Sequence, residues 1–528
     1  MKRRPFVKLL IFLSSLIPFK LFSYDDNDKL VIFNHGVASG DPTNTNVVIW
    51  TKITTTSKYP IKILWEVSSD YNFNNIIASG YETAKKSNDY CIKADPYINK
   101  SFNNKTIYYR FSYKKSYSPV GKSKTLPIAN PNEFNIAFCS CSNYPAGFFN
   151  AYKEIANNAD IDLVLHLGDY LYEYDDKGYA SEDSIKLDRV VDPLHEIISL
   201  NDYRKRHALY KTDPDLQLLH SNKPMIAVWD DHEFTNDSWK EGAENHSQNE
   251  GSFKKRKANA LKAYYEWMPI REPKNKLKIW RKFEIGTLFQ LFMLDTRSIY
   301  REKQINLDDY FINNSFDADQ YKTDLNKQRV LVGNEQFKWL DNAVDSKFNW
   351  TIIGQQVLVS EVVLPSIFSK IDKSNIPSFI HKYLNIGGLN IPYNTDAWDG
   401  YPNERDKLFK ILNKTNSSIV LTGDTHNSWA ANLFDKNNKF VGIELGAPSI
   451  SSPNTIDTFK NATTKIEKGF INENKNIKWT DGSNKGFVLL NIKPSNINVS
   501  FNYVSTVKSK IYQAFKGKTF NILPKTNI

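Results

Sequence analysis

Four stretches of this chain place oxygen, nitrogen or sulfur donors directly after apolar runs of strand length. They are Cys139-Ser140-Cys141-Ser142-Asn143-Tyr144, Gly168-Asp169-Tyr170-Leu171-Tyr172, Trp229-Asp230-Asp231-His232-Glu233-Phe234-Thr235-Asn236 and Gly423-Asp424-Thr425-His426-Asn427. A carboxylate at the end of a buried strand is costly unless a cation or a hydrogen-bond network receives it. In the second stretch a phenol, Tyr172, stands three residues after Asp169 and can reach the same receiver. A metal ion is the economical receiver. The competing reading is an Asp that accepts backbone N–H bonds in a turn, with Tyr172 covering the sheet. One such junction is commonplace. Four in one chain, two of them Gly-Asp, are hard to attribute to helix caps and turns. In a parallel sheet, such loops open together on the carboxyl edge, where ligands bind.

The elements that must position them form two regions. Leu30 to about Pro131 carries β-branched and aromatic runs, such as 47–51, 61–67 and 106–113, separated by turn-rich segments. This predicts an all-β sandwich over residues 30–131. Gly36-Val37-Ala38-Ser39-Gly40-Asp41-Pro42 reads as a shape-setting turn before it is a ligand contact. From residue 132 strands alternate with helix-like stretches, the pattern of α/β packing, and this region is expected to run to 497. Helices are expected over 146–157, 187–219, 254–267, 334–347 and 405–412. Residues 360–401 read as long loops near the site, and 498–528 as a C-terminal tail, with a last strand as the alternative for its start.

The 528 residues exceed one compact core, so two domains are expected. Lysine and arginine number 69 against 58 acidic residues. No long basic run or basic-aromatic repeat marks a nucleic-acid groove, so no specific nucleic-acid partner is expected. Three cysteines, Cys91, Cys139 and Cys141, cannot make a disulfide framework. No P-loop and no Ser-His-Asp constellation is evident. At the N-terminus, Lys2-Arg3-Arg4-Pro5-Phe6-Val7-Lys8 precedes an apolar stretch ending at Phe19, an export-signal pattern over residues 1–23. Its paired arginines resemble a twin-arginine signal. Cleavage near Ser23 lacks a small residue at position 21, so a retained membrane anchor is the alternative to a periplasmic or extracellular product.

Taken together, the four junctions resemble the metallophosphoesterase signature, and most closely the alkaline phosphatase D (PhoD-like) family, from Phe33 to about Ile492. The resemblance implies an α/β fold, a calcineurin-like β-sandwich flanked by helices, behind an N-terminal all-β sandwich. It also implies a dinuclear metal site. Cys141, Asp169, Tyr172 and His426 match the ligands of one ion, Asp169 being the bridge. Asn236 and Asp424, with Asp169, match those of the second. Thiolate and phenolate suit Fe3+, while the oxygen set suits Ca2+, Mg2+ or Mn2+. His232 matches the substrate-facing histidine, with Asp231 orienting it or meeting a further cation. Arg204, Arg206 and His207 are candidate phosphate binders, since guanidinium grips two oxygens at once. Trp398 and Tyr401 are candidates for the pocket wall. The implied activity is hydrolysis of phosphomonoesters or phosphodiesters by a metal-activated hydroxide, in a monomer served by the twin-arginine export machinery. Two other functions remain open at this point: a phosphodiesterase restricted to phospholipids or cell-envelope polymers, and a non-catalytic metal-containing binding protein.

Overall fold

A computed structural model describes residues 30–313 and 315–528. The expected export signal lies outside them. Among the described residues no helix is long and apolar enough to cross a membrane.

Two large mixed sheets build the α/β region. The first has nine strands in the spatial order Ala514–Ile522, Ile497–Val504, Lys485–Ile492, Phe134–Cys139, Leu163–His166, Pro224–Ala227, Val37–Gly40, Val48–Lys52, Cys91–Ala94. Its centre is parallel, from Phe134–Cys139 through Leu163–His166 and Pro224–Ala227 to Val37–Gly40. The second has seven strands: Arg281–Ile285, Phe289–Met293, Trp350–Gly354, Ser418–Thr422, Phe440–Gly446, Ser428–Phe434 and Ile477–Asp481. Four of these are also parallel. The parallel strands are continuous apolar runs because both of their faces are covered. Ile352 and Ile419 pack with Ile136 and Leu165 of the first sheet, while the alternate residues Ile353 and Val420 pack under Phe337, Leu340 and Leu408 of outer helices. Tyr152, Leu216, Leu219 and Leu261, from helices on the other side, join the first sheet's core. The layers therefore run helix, sheet, sheet, helix. Both parallel centres end at the same edge, where Ser140 bridges Ser449.

The expected boundaries are softer than the composition suggested. Strands Ile61–Ser68, Ile76–Ala84, Ile107–Tyr113, Ser116–Tyr117 and Gly121–Ser123 form a separate five-stranded sheet. Its inner side packs on Val37, Ile49 and Ile92, residues of the nine-stranded sheet. The β-rich N-terminal domain is thus a sandwich that shares one sheet with the α/β region. Gly40 makes that continuity feasible: a Cβ there would lie 2.4 Å from the Met225 carbonyl oxygen. Residues 36–42, expected as a turn, instead hold strand Val37–Gly40; Asp41 just after it, fully buried, locks the junction by accepting from Arg281 at 2.7 Å and from the Arg271 amide at 2.8 Å. At the other end, 498–528 is no tail, since Ile497–Val504 and Ala514–Ile522 complete the nine-stranded sheet. The expected long helix over 187–219 is two helices, Leu200–Tyr210 and Pro214–Asn222. Pro214 opens the second, and the Asp213 side chain caps it.

Candidate active site

The strand ends meet in a buried row of donors. The Cys141 sulfur, an Asp169 oxygen and a His426 ring nitrogen lie within 4.8 Å of one another. The same holds for Asp169, Asp231 and His232, and for Asp230, Asp231 and Asp424. Asp169 and Asp231 each belong to two clusters, so the row is continuous from sulfur to carboxylates.

The backbone is strained to achieve this. Cys141, Asp169, Asp424 and His426 all adopt left-handed φ, at 63°, 53°, 63° and 61°. Each costs about 1–3 kcal/mol in a non-glycine residue and persists where the surroundings enforce it. Gly168, at φ 110°, precedes Asp169 because a Cβ there would sit 2.4 Å from that of Asp230. Glu233 fastens the turn, its carboxylate accepting from the amides of Asp169 (3.1 Å), Tyr170 (2.7 Å) and Asp230 (2.8 Å).

At the sulfur end, the Tyr172 hydroxyl donates to Asp169 Oδ2 at 3.1 Å and lies 3.2 Å from His426 Nε2. His426 Nδ1 donates to the Pro453 carbonyl at 2.7 Å, which leaves the Nε2 lone pair facing the cluster. Burial pushes His426 down to about 4, so it is neutral and fit to ligate. Burial, reinforced by Asp169, raises the Cys141 thiol well above its usual range, and the same two causes raise the Tyr172 phenol. Both donors therefore need a cation to ionise.

At the carboxylate end, burial together with Asp231, Asp230 and Glu233 drives Asp169 well above the ordinary carboxylate range. Burial, with Asp230 and Asp396, does the same to Asp424. Asp169 Oδ1, Asp230 Oδ2 and Asp231 Oδ1 are buried without a hydrogen-bond partner. Buried, crowded carboxylate oxygens of this kind fit a bound cation. Asn236 sits at the rim, its amide nitrogen donating to Glu244 at 2.7 Å, which leaves its oxygen as the available donor atom.

Two residues that organise the site had not been singled out in the sequence. Fully buried Arg297 reaches Asp230, Asp396 (2.6 Å), Asp424 (3.5 Å) and Asp231 (3.7 Å). It follows strand Phe289–Met293 in Leu294-Asp295-Thr296-Arg297, a fifth charged strand end that was the available clue. Buried Glu173, directly after Tyr172, accepts from His232 Nδ1 at 2.7 Å, from the Asn236 amide at 2.7 Å and from Asn245 at 3.0 Å. Burial disfavours charge on His232, but Glu173, Asp231 and Asp169 outweigh it and raise its pKa well above the usual histidine value. Arg297 and His232 likewise hold Asp231 down at about 2 against the effect of burial.

The remaining candidates lie apart from the row. Arg204 grips both Glu266 oxygens at 2.7 Å, and Arg206 donates to the carbonyls of Tyr172, Tyr174 (2.9 Å) and Pro193 (3.2 Å). Arg206 thus braces the segment behind Tyr172 and has no fork left for phosphate. His207 is stacked on Trp267 and, pushed down to about 3 by burial, is a neutral core residue. Trp398 donates to Gln355 at 3.1 Å and Tyr401 to the Glu302 carbonyl at 2.7 Å, both inside the second core. From that loop it is Asp396 that reaches the site. Cys139 is strand core, and Cys91 is buried in the N-terminal domain; among the described residues all three cysteines are free.

Comparison with known proteins fits this geometry. Residues 136–501 match the PhoD-like phosphatase family, and residues 22–127 match the PhoD-like phosphatase N-terminal domain. The chain is 35% identical over 484 residues to alkaline phosphatase D of Bacillus subtilis (strain 168), covering 88% of this chain and 76% of that one. A solved structure of PhoD superimposes with a TM-score of 0.78 at 31% identity, covering 93% of this chain and 91% of the other. An α/β catalytic region with a β-rich N-terminal domain, a buried donor row at its strand ends and these matches along nearly its whole length place the chain in the PhoD-like phosphatase family of phosphoric ester hydrolases.

Proposed function

We propose that this protein is an exported, metal-dependent hydrolase of phosphomonoesters and phosphodiesters, with a dinuclear site of the calcineurin-like metallophosphoesterase type. The carrying observation is the donor row, in which Asp169 and Asp231 each serve two clusters and each keep an unbonded buried oxygen. Cys141, Asp169, Tyr172 and His426 would hold one ion, best Fe3+; Asp169, Asn236 and Asp424 would hold the second, best Ca2+, with Mg2+ or Mn2+ as substitutes. When bound, such a pair polarises phosphoryl oxygens and lowers the pKa of water.

The chain's own groups do the rest. Glu173 accepts from His232 Nδ1, and the raised pKa keeps the ring doubly protonated at neutral pH, so that Nε2 carries a proton as well. His232 is thereby set to protonate the departing alkoxide. The Tyr172 ring packs against His232, tilted by 32° with centroids 4.1 Å apart, and limits its rotation. Arg297 holds Asp230 and Asp396 in place and lies 3.5 Å from Asp424 and 3.7 Å from Asp231, so that the four carboxylates stay gathered around one cation. Export by the twin-arginine route is supported by Lys2-Arg3-Arg4 and the apolar run after it.

The test combines metal analysis, a visible spectrum and turnover of bis(p-nitrophenyl) phosphate. The expected results are a phenolate-to-iron charge-transfer band that Tyr172→Phe abolishes, and activity that Asp424→Asn removes. Active enzyme without the band would refute the ferric assignment, and full activity in the Asp424 variant would refute the site.

A further inference from the structure

The outer face of the five-stranded sheet is unusually aromatic for a surface. Among the described residues, the tyrosines more than half exposed are Tyr59, Tyr71, Tyr81, Tyr97 and Tyr117, all in the N-terminal domain. Three of them, Tyr71, Tyr81 and Tyr117, gather on or beside one face. Register pairs Tyr117 with Ser112, Ser112 with Leu64 and Leu64 with Tyr81, so a single cross-strand row carries a tyrosine at each end. Three strand spacings put those rings about 14 Å apart. In the next rows Arg110 pairs with Glu66, and Lys122 with Tyr108, against whose ring Tyr71 stands edge-on at 5.7 Å.

Cations sit on these rings. Lys62 Nζ lies 4.3 Å over Tyr81, and the Arg110 guanidinium lies 4.0 Å from the Phe73 ring and 4.9 Å from Tyr117. Glu66 is engaged by Arg110 at 2.8 Å. The charge of the whole chain follows the same division. Residues 30–131 carry 13 lysines and arginines against 6 acidic residues, whereas residues 132–528 carry 50 against 49. A sheet face with spaced tyrosines and adjoining cations complements one kind of partner: a chain of rings bearing negative charge. Tyrosine faces stack on the C–H side of a sugar ring, while lysine beside the ring meets a carboxylate on it.

We infer that this face is a second, non-catalytic binding site, which holds an anionic polysaccharide. It lies outside the donor row and does not depend on the dinuclear reading.

The test measures binding of the full chain to polygalacturonate, with poly-L-glutamate (the same charge without rings) and dextran (rings without charge) as controls. Polygalacturonate should bind at least tenfold more tightly than either control, and more weakly as salt rises. Tyr81→Ala with Tyr117→Ala should weaken binding at least tenfold and leave turnover of bis(p-nitrophenyl) phosphate unchanged; that turnover also reports that the variant is folded. Tyr81→Trp should keep binding, and Lys62→Gln should flatten the salt dependence. Equal binding of poly-L-glutamate or of dextran, no loss in the double variant, or no binding of polygalacturonate at low salt would each overturn the inference.

Discussion

The two ends of the donor row answer the same problem differently. At the sulfur end, Cys141, Tyr172 and His426 are neutral when no cation is present, because burial suppresses the ionisation of all three. At the carboxylate end, Asp230, Asp231, Asp396 and Asp424 surround a permanent cation, Arg297. One end waits for charge; the other already holds part of its balance. Arg297 thus offsets part of the charge that crowding these carboxylates strands in a dry interior, and the sulfur end adds none to it.

That contrast can be broken most severely at the residue shared by two clusters. Asp169→Asn should lower kcat on an activated diester by at least about 10³-fold, the scale on which preorganised charge stabilisation acts, and metal analysis should show loss at the site as a whole. Retention of one full equivalent of metal would mean that the two ends are independent. Arg297→Gln tests the carboxylate end alone. It should destabilise the metal-depleted protein by about 3–5 kcal/mol, the cost of stranding buried charges, and added divalent cation should recover part of that loss in a denaturant titration. An unchanged midpoint would show that the carboxylates are protonated instead.

His232→Gln should cost about 10²-fold on an alkyl phosphate and far less on a p-nitrophenyl ester, whose leaving group needs no proton. Equal losses on both would assign His232 to binding. Glu173→Gln should cost about 10-fold, as expected for a residue that orients another, and show the same leaving-group bias in weaker form. The smallest effect is expected at Arg204→Gln, which breaks the pair with Glu266 and the bond to the Ser87 carbonyl: stability should fall by about 1 kcal/mol with kcat/KM unchanged. A large rise in KM would restore its sequence-based role in binding phosphate.

The sequence was legible where one chemical demand fixed residue type and position together. Gly168-Asp169, Gly423-Asp424 and the donors that follow them need a sharp left-handed turn at the end of a buried strand, and few other patterns satisfy that. The apolar runs of the parallel strands were equally plain. Arg297 was hidden because a lone arginine after Leu294-Asp295-Thr296 resembles any surface arginine until the fold buries it among four aspartates. Arg204 and Arg206 misled for the converse reason: they look poised for phosphate, yet one is held by Glu266 and the other by backbone carbonyls. Domain edges were the least legible. Val37–Gly40 pairs with Pro224–Ala227, and Lys485–Ile492 with Phe134–Cys139, partners far away in the chain, and local composition carries no trace of such pairings.

The nine-stranded sheet also sets a timetable for synthesis. Strand Phe134–Cys139, which delivers Cys141, has Lys485–Ile492 as its neighbour on one side, so its ladder stays open until about 350 further residues have been made. An exposed central edge is a template for wrong partners. Nascent chains that stop short of Ile492 are therefore expected to depend on holding factors, and the strand that delivers Cys141 gains its second neighbour only once Lys485–Ile492 has emerged.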